Sequence, residues 1–190
     1  MPDSSAASPD LLLPVPETRT ALEQLARQVV KNHPTGENVV LIGIQTGGVR
    51  VAEQLAPELE KLWGRPVPLG QLDVTMHRDD LDRRLAPPVH PTHLPGDIAD
   101  KEVILVDDVF CSGRTTRAAL DALHDLGRPR RIQLAVLIER CHQELPIRPD
   151  FVGRRVETAP EDQVVVEPGD PEKHLHVRLE AGAPAQPPAP

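Results

Sequence analysis

Aromatic side chains are almost missing from this 190-residue chain: it has no tyrosine, one tryptophan and two phenylalanines, 2% in all. With 39% hydrophobic residues overall, leucine, valine, isoleucine and alanine must fill the interior. Cysteine is equally scarce, at two residues, which excludes a disulfide framework and makes a reducing cytoplasm the expected compartment. No uninterrupted apolar run approaches the roughly 20 residues of a membrane span, so no membrane partner is expected. The opening "MPDSSAASPDLLLPVPE" lacks the basic start and apolar core of a secretory signal. Positive charge is in deficit too. The net charge of −8 argues against a general nucleic-acid binder and leaves room for a local basic patch only. What is plentiful is proline, 22 residues clustered at the two ends and between residues 87 and 95. The length suits one α/β domain with a sizeable core and is too short for two.

Residues 1–16 and 181–190 are Pro/Ala/Ser-rich and are expected to be disordered, leaving one domain over 17–180. Between them helix and strand signals alternate, without internal repeats. "TRTALEQLARQVVKNH" places Leu22, Leu25, Val29 and Val30 on one helical stripe, with Thr18 or Thr20 as cap. "NVVLIGIQ", "EVILVDDVF" and "RIQLAVLIER" are short, nearly continuous apolar runs, as expected of strands buried on both faces. "TGGVRVAEQLAPELEKLWG" and "TTRAALDALHDLG" read as helices, and "VPLGQLDVTMHRDD", alternating around Leu69, Leu72 and Val74, "QVVVE" and "HLHVRLE" as further strands. This alternation predicts an α/β fold: a central, mainly parallel twisted sheet flanked by helices on both faces. Residues 79–100 hold four prolines and no periodicity, so they read as one long loop of the kind that often serves function. Ligands in such folds sit at the carboxyl ends of the strands, where "QTGG", "DDVFCSGRT" and "ERCHQELPIR" fall.

The second of these carries the chemistry. The strand delivers Asp107 and Asp108, and a loop of small residues then opens a helix whose first-turn N–H groups have no internal partners. Such a junction cradles a phosphate, and a ribose lying between acids and phosphate reconciles the two: hydroxyls to the carboxylates, 5′-phosphate to the loop. A Mg²⁺ ion fits beside the acids. No G-x-x-x-x-G-K-[ST] pattern exists, which excludes a Walker-type loop. Cys111 and Arg117 have the Cys-x₅-Arg spacing of cysteine phosphatases, but acids beside the loop would repel a phosphomonoester, so Cys111 reads as a small loop residue. The bland alternative is a strand–turn–helix junction with capping acids and no ligand.

The stretch from Val103 to Thr115 resembles the phosphoribosyl-pyrophosphate (PRPP) motif of the type I phosphoribosyltransferases. "LGQLDVTMHRDDL", "VILVDDVFCSGRTTRAALDALHDLGRPRRIQLAVLIER" and "HQELPIRPDFVG" narrow the likeness, from about Thr20 to about Glu167, to the PyrR family. Those proteins act as uracil phosphoribosyltransferases and regulate pyrimidine genes by RNA attenuation. The resemblance implies a type I phosphoribosyltransferase fold in which residues 79–100 form a flexible hood. Asp107 and Asp108 would hold the ribose hydroxyls, and Val109, Phe110, Cys111, Ser112, Gly113, Arg114 and Thr115 would complete the PRPP and nucleotide site. Thr46 and Gly47 would form the pyrophosphate turn, with Arg78 beside it. Arg140 and the backbone at Val164 would flank uracil, and Mg²⁺ would arrive with PRPP rather than at a metal site of the protein.

Relatives would contact pyrimidine leader RNA through a face whose counterparts here are Arg27, His142, Arg148, Arg154 and Arg155, with UMP as the expected effector. Similar proteins form homodimers and larger assemblies. Two departures matter: Gly47 stands where an arginine is usual, and Glu23, Gln24 and Gln143 replace polar or basic residues of the RNA face. Three readings therefore stay open: an active enzyme that binds RNA, an RNA regulator with vestigial catalysis, and a phosphoribosyltransferase for another base. His142, His174 and His176 lack the spacing of a metal site and read as solvated. Trp63 reads as a core or interface anchor.

Overall fold

The computed structural model describes residues 10–77, 90–170 and 172–182. Three apolar runs form the middle of a five-stranded sheet. They are β2 (Val39–Ile44), β4 (Glu102–Phe110) and β5 (Arg131–Arg140), flanked by β3 (Leu69–Leu72) and β6 (Phe151–Val156). The order is β3-β2-β4-β5-β6, and every pairing is parallel. All six residues of β2 are buried, and so are Val103–Asp107 of β4. Burial on both faces explains why these strands carry no alternation.

Helices α1 (Val15–Asn32) and α2 (Gly47–Trp63) cover one face through Leu22, Leu25, Val29, Leu55 and Leu59, and α3 (Arg114–Leu126) covers the other through Ala118, Ala119 and Leu123. The expected fold class is observed. A second, antiparallel sheet of order β1-β8-β7 joins β1 (Asp10–Leu13), β8 (Leu175–Glu180) and β7 (Gln163–Pro168). It packs Leu13, Val166, Leu175 and Val177 into the α1–α2 side of the core.

The sequence reading needs correction in three places. Residues 10–16 were assigned to a disordered extension but form β1 and the start of α1, because Leu13 is buried and β1 pairs with β8. Neither threonine caps α1. Pro14 stands at the cap, with proline in the first turn where its missing N–H costs nothing, while Thr18 and Thr20 bond back to the carbonyls of Pro14 and Pro16. β6 was not anticipated. Within the long loop over 79–100, residues 79–89 lie outside the described residues, and 90–100 are anchored: His93 pairs with Gln71, and Ile98 is buried against α3's face of the sheet. Trp63 is an anchor as expected, its Nε1–H donating to the carbonyl of His33 at 2.7 Å.

Candidate active site

β4 places Asp107 and Asp108 at the carboxyl edge of the sheet, Asp107 buried at 6% exposure and Asp108 half-buried. Each carboxylate is oriented by the next backbone amide. The N–H of Asp108 donates to Asp107 Oδ1 at 3.0 Å and that of Val109 to Asp108 Oδ1 at 2.9 Å. Neighbouring residues of a strand face opposite ways, so the two acids present carboxylates on two sides of one strand end.

The Thr46–Gly47 turn lies directly against this pair. A Cβ on Gly47 would fall 1.9 Å from Asp108 Oδ2, and one on Gly48 would fall 2.3 Å from the carbonyl oxygen of Val106. The glycines therefore let the start of α2 press onto β4, bringing the expected pyrophosphate turn to within van der Waals reach of the acids. The Gln45–Thr46 peptide bond is cis.

The phosphate loop follows β4. Phe110 is buried beneath it, Cys111 and Ser112 are half-buried, and Gly113 takes the left-handed φ of 91° from which α3 begins. The first-turn amides of α3 lack intrahelical acceptors and point their dipole end into the loop. Thr116, buried in that first turn, has an Oγ1 with no hydrogen-bond partner among the described residues. The loop is buttressed from the "QELPI" turn: Ser112 O accepts the N–H groups of Glu144 and Leu145, both at 3.1 Å. Glu144 Oε2 also takes Arg114 Nε at 3.0 Å and Nη2 at 2.8 Å. Cys111→Ser is expected to leave activity within about two-fold, whereas a cysteine nucleophile would lose all of it.

Other predicted residues are placed differently. Arg140 is buried at 7% exposure and spends its guanidinium on the loop after β6: Nε donates to Thr158 Oγ1 and Nη2 to Ala159 O, both at 2.9 Å. His142 Nε2 lies 2.8 Å from Thr158 O, so Thr158 joins two predicted site residues. Val164 lies in β7 and packs on the α1–α2 side of the core. Arg78 lies outside the described residues.

The basic residues do not share one face. Arg154 turns towards α1, 3.7 Å from Glu17, while Arg155 turns to the other side of β6, where Nε meets Glu139 Oε2 at 2.6 Å. That hydrogen bond, with the charge of Glu139, raises the pKa of Arg155. Arg27 is 3.9 Å from Glu23, and Arg148 is exposed on the turn before β6. The Arg154–Glu17 and Arg27–Glu23 pairs are exposed on both sides, and such pairs are weak and exchange readily for another anion.

Sequence reasoning missed Glu144, Leu145, Thr158 and Asp73. Glu144 and Leu145 hold the phosphate loop by their N–H groups, which leave no residue-type signal; Asp73 and Thr158 act by side chains that bond to neighbouring loops rather than to a motif partner.

Paired acids at a strand end, a small-residue loop at a helix start and a glycine turn pressed against the acids are arranged as the type I phosphoribosyltransferase fold arranges them. A family model described as the phosphoribosyl transferase domain matches residues 10–171. A hypoxanthine phosphoribosyltransferase from Staphylococcus aureus superposes with a TM-score of 0.64 over 82% of this chain and 81% of its own, at 18% identity. A Trypanosoma cruzi hypoxanthine phosphoribosyl transferase does so at 0.65 and 17%, covering 84% and 83%. At such identities the likeness is one of fold.

Closer relatives are named bifunctional protein PyrR. That of Limosilactobacillus fermentum is 48% identical over 84% of this chain and 91% of its own. That of Deinococcus radiodurans is 50% identical over 79% and 82%, and that of Thermus aquaticus 46% over 90% and 97%. The chain belongs to the PyrR family.

Proposed function

We propose that this phosphoribosyltransferase makes UMP from uracil and PRPP and, with UMP bound, regulates pyrimidine genes through leader RNA. The observation that carries the enzymatic half is the contact between the Gly47 turn and Asp108, which sets a pyrophosphate-binding loop against ribose-binding acids with the phosphate loop beyond. Uracil N1 bonds to C1 of the ribose as the C1–oxygen bond to pyrophosphate breaks, and the N1 proton is released. The residues act by position: Asp107 and Asp108 hold the ribose hydroxyls, while Ser112, Gly113 and Thr115 and the α3 amides fix the 5′-phosphate. Among the described residues no group of three or more His, Cys, Asp or Glu could hold a metal. Two carboxylates beside a pyrophosphate turn nevertheless suit a hard cation whose remaining ligands come from PRPP. Mg²⁺ bound there would offset the charge of the departing pyrophosphate. Arg140 then acts on uracil indirectly, by shaping the loop at Thr158–Pro160.

The regulatory half rests on the basic residues around β6. RNA phosphates would displace Glu139 from Arg155, Glu17 from Arg154 and Glu23 from Arg27. Among the described residues no helix is long and apolar enough to cross a membrane, and we place the protein in the cytoplasm as a homodimer or larger homo-oligomer. Titration of pyrimidine leader RNA in the presence of UMP tests this half. Arg148→Ala and Arg155→Ala are each expected to weaken binding about five- to ten-fold and to lower the salt slope by about one. Binding that is insensitive to both variants contradicts it. Gly47 favours a second reading, regulation with vestigial catalysis, which full RNA binding without UMP formation would establish.

A further inference from the structure

Asp73 follows β3 at the carboxyl edge of the sheet. Its carboxylate accepts backbone N–H groups from two segments far apart in sequence: Oδ1 takes Thr75 N–H at 2.6 Å, and Oδ2 takes His90 N–H. The N–H of Asp73 donates to Thr92 Oγ1 at 3.0 Å. Two residues earlier, Gln71 exchanges backbone hydrogen bonds with His93 at 2.7 and 2.8 Å. Gln71 Oε1 also accepts from Gln45 Nε2 at 3.0 Å, and Gln45 N–H donates to Leu72 O at 2.9 Å. Gln45 is the residue before the Thr46–Gly47 turn. One short stretch, Gln71 to Asp73, thus ties the glycine turn to Thr75 on one side and to His90–His93 on the other.

A turn at Thr75 requires a single acceptor oxygen on residue 73. The second oxygen, spent on His90, is what a local turn does not explain. Burial opposes the charge on Asp73, but the Thr75 and His90 hydrogen bonds and the nearby His90 ring hold its carboxyl below the usual carboxylate range. The carboxylate is therefore ionised, and both its oxygens accept, at any neutral assay pH.

We infer that Asp73 is a positioning residue for the pyrophosphate end of the site, its two carboxylate oxygens fixing residues 75 and 90 relative to the Thr46–Gly47 turn. The inference rests on the phosphoribosyl-transfer reading. It separates PRPP from the base: loosening the clamp disturbs the pyrophosphate turn and leaves the uracil side, which is built on β5 and the loop after β6, in place.

Asp73→Asn tests it, because the amide oxygen still serves Thr75 while an NH₂ group faces the His90 N–H. The KM for PRPP is expected to rise about five- to ten-fold with the KM for uracil and the melting temperature nearly unchanged, the loss of one hydrogen bond to a charged acceptor. Amide hydrogen exchange at His90 and His93 should quicken about ten-fold while Thr75 changes little. Thr92→Val, a milder loss at the same clamp, should move the same two readouts in the same direction by a smaller factor. An unchanged KM for PRPP, or parallel rises in both KM values with a lowered melting temperature, would overturn the proposal. Should the wild type form no UMP, the phosphoribosyl-transfer reading fails. Mg²⁺–pyrophosphate affinity then decides separately: weakened five-fold or more by Asp73→Asn supports the clamp, and unchanged affinity rejects it.

Discussion

Replacing Asp108 by Asn is expected to lower kcat/KM for PRPP by about 10- to 150-fold, the cost of one charge-assisted hydrogen bond at about 1.5–3 kcal/mol. Asp108 is half-buried at the end of β4, and its Oδ1 is held by the N–H of Val109 at 2.9 Å. Its Oδ2 is the atom that faces the Gly47 turn. Removing the charge leaves the shape almost intact, so the melting temperature should barely move. A ribose hydroxyl that donated to a carboxylate would meet a neutral amide instead, and the positive charge developing at the ribose in the transition state would lose a nearby counter-charge. Steady-state kinetics with PRPP varied, paired with thermal melting, checks both halves of the expectation. Unchanged affinity for PRPP would refute the ribose assignment.

The second large effect is at the two adjacent glycines, which should fail in different ways. At Gly48 the obstacle to a Cβ is the backbone carbonyl of Val106 at 2.3 Å, which cannot turn aside without disturbing β4. Gly48→Ala should therefore cost about 1–3 kcal/mol of stability as an overpacking strain, and roughly 2–4 °C of melting temperature per kcal/mol. At Gly47 the obstacle is the Asp108 carboxylate itself, 1.9 Å away, a side chain that can rotate once it gives up Val109 N–H. Gly47→Ala should leave stability nearly intact and reduce turnover about ten-fold by displacing the acid. Gly47→Arg displaces the acid equally but brings a guanidinium to the pyrophosphate, so it should exceed Gly47→Ala in kcat/KM. If the arginine variant is no better than the alanine variant, the loss of an arginine at this turn has no bearing on pyrophosphate binding. The opposite extreme, an arginine variant far above the wild type, would mean that catalysis in this chain is limited by the missing cation.

How much of this was legible beforehand follows burial. β2, β4 and β5 are long apolar runs buried on both faces, so their sequences announce them, and the acids and phosphate loop at the end of β4 could be read with them. β6 was invisible because it is an edge strand. Of its six residues only Phe151 is buried, and the exposed Arg154 and Arg155 break any apolar pattern a strand would show. β1 was hidden by the prolines on either side of it, whose composition suggested disorder. Its pairing with β8, some 170 residues away in the chain, is a tertiary fact that no local pattern carries. The same distinction runs through the site. The paired acids and the small-residue loop could be named from type and spacing, and the remaining expected site residues only through the family resemblance. The supports were named by neither: Glu144 and Leu145 hold the phosphate loop by their N–H groups, and Asp73 holds two backbone amides. Arg140 was named only through the family resemblance, and its Nε and Nη2 donate to Thr158 and Ala159, a support that no motif announces.

The central claim is that these elements make UMP. Purified protein incubated with PRPP and Mg²⁺ should convert uracil to UMP and release pyrophosphate in equal amount, with hypoxanthine and guanine giving at most about a hundredth of that rate. Turnover with hypoxanthine or guanine and none with uracil would contradict it.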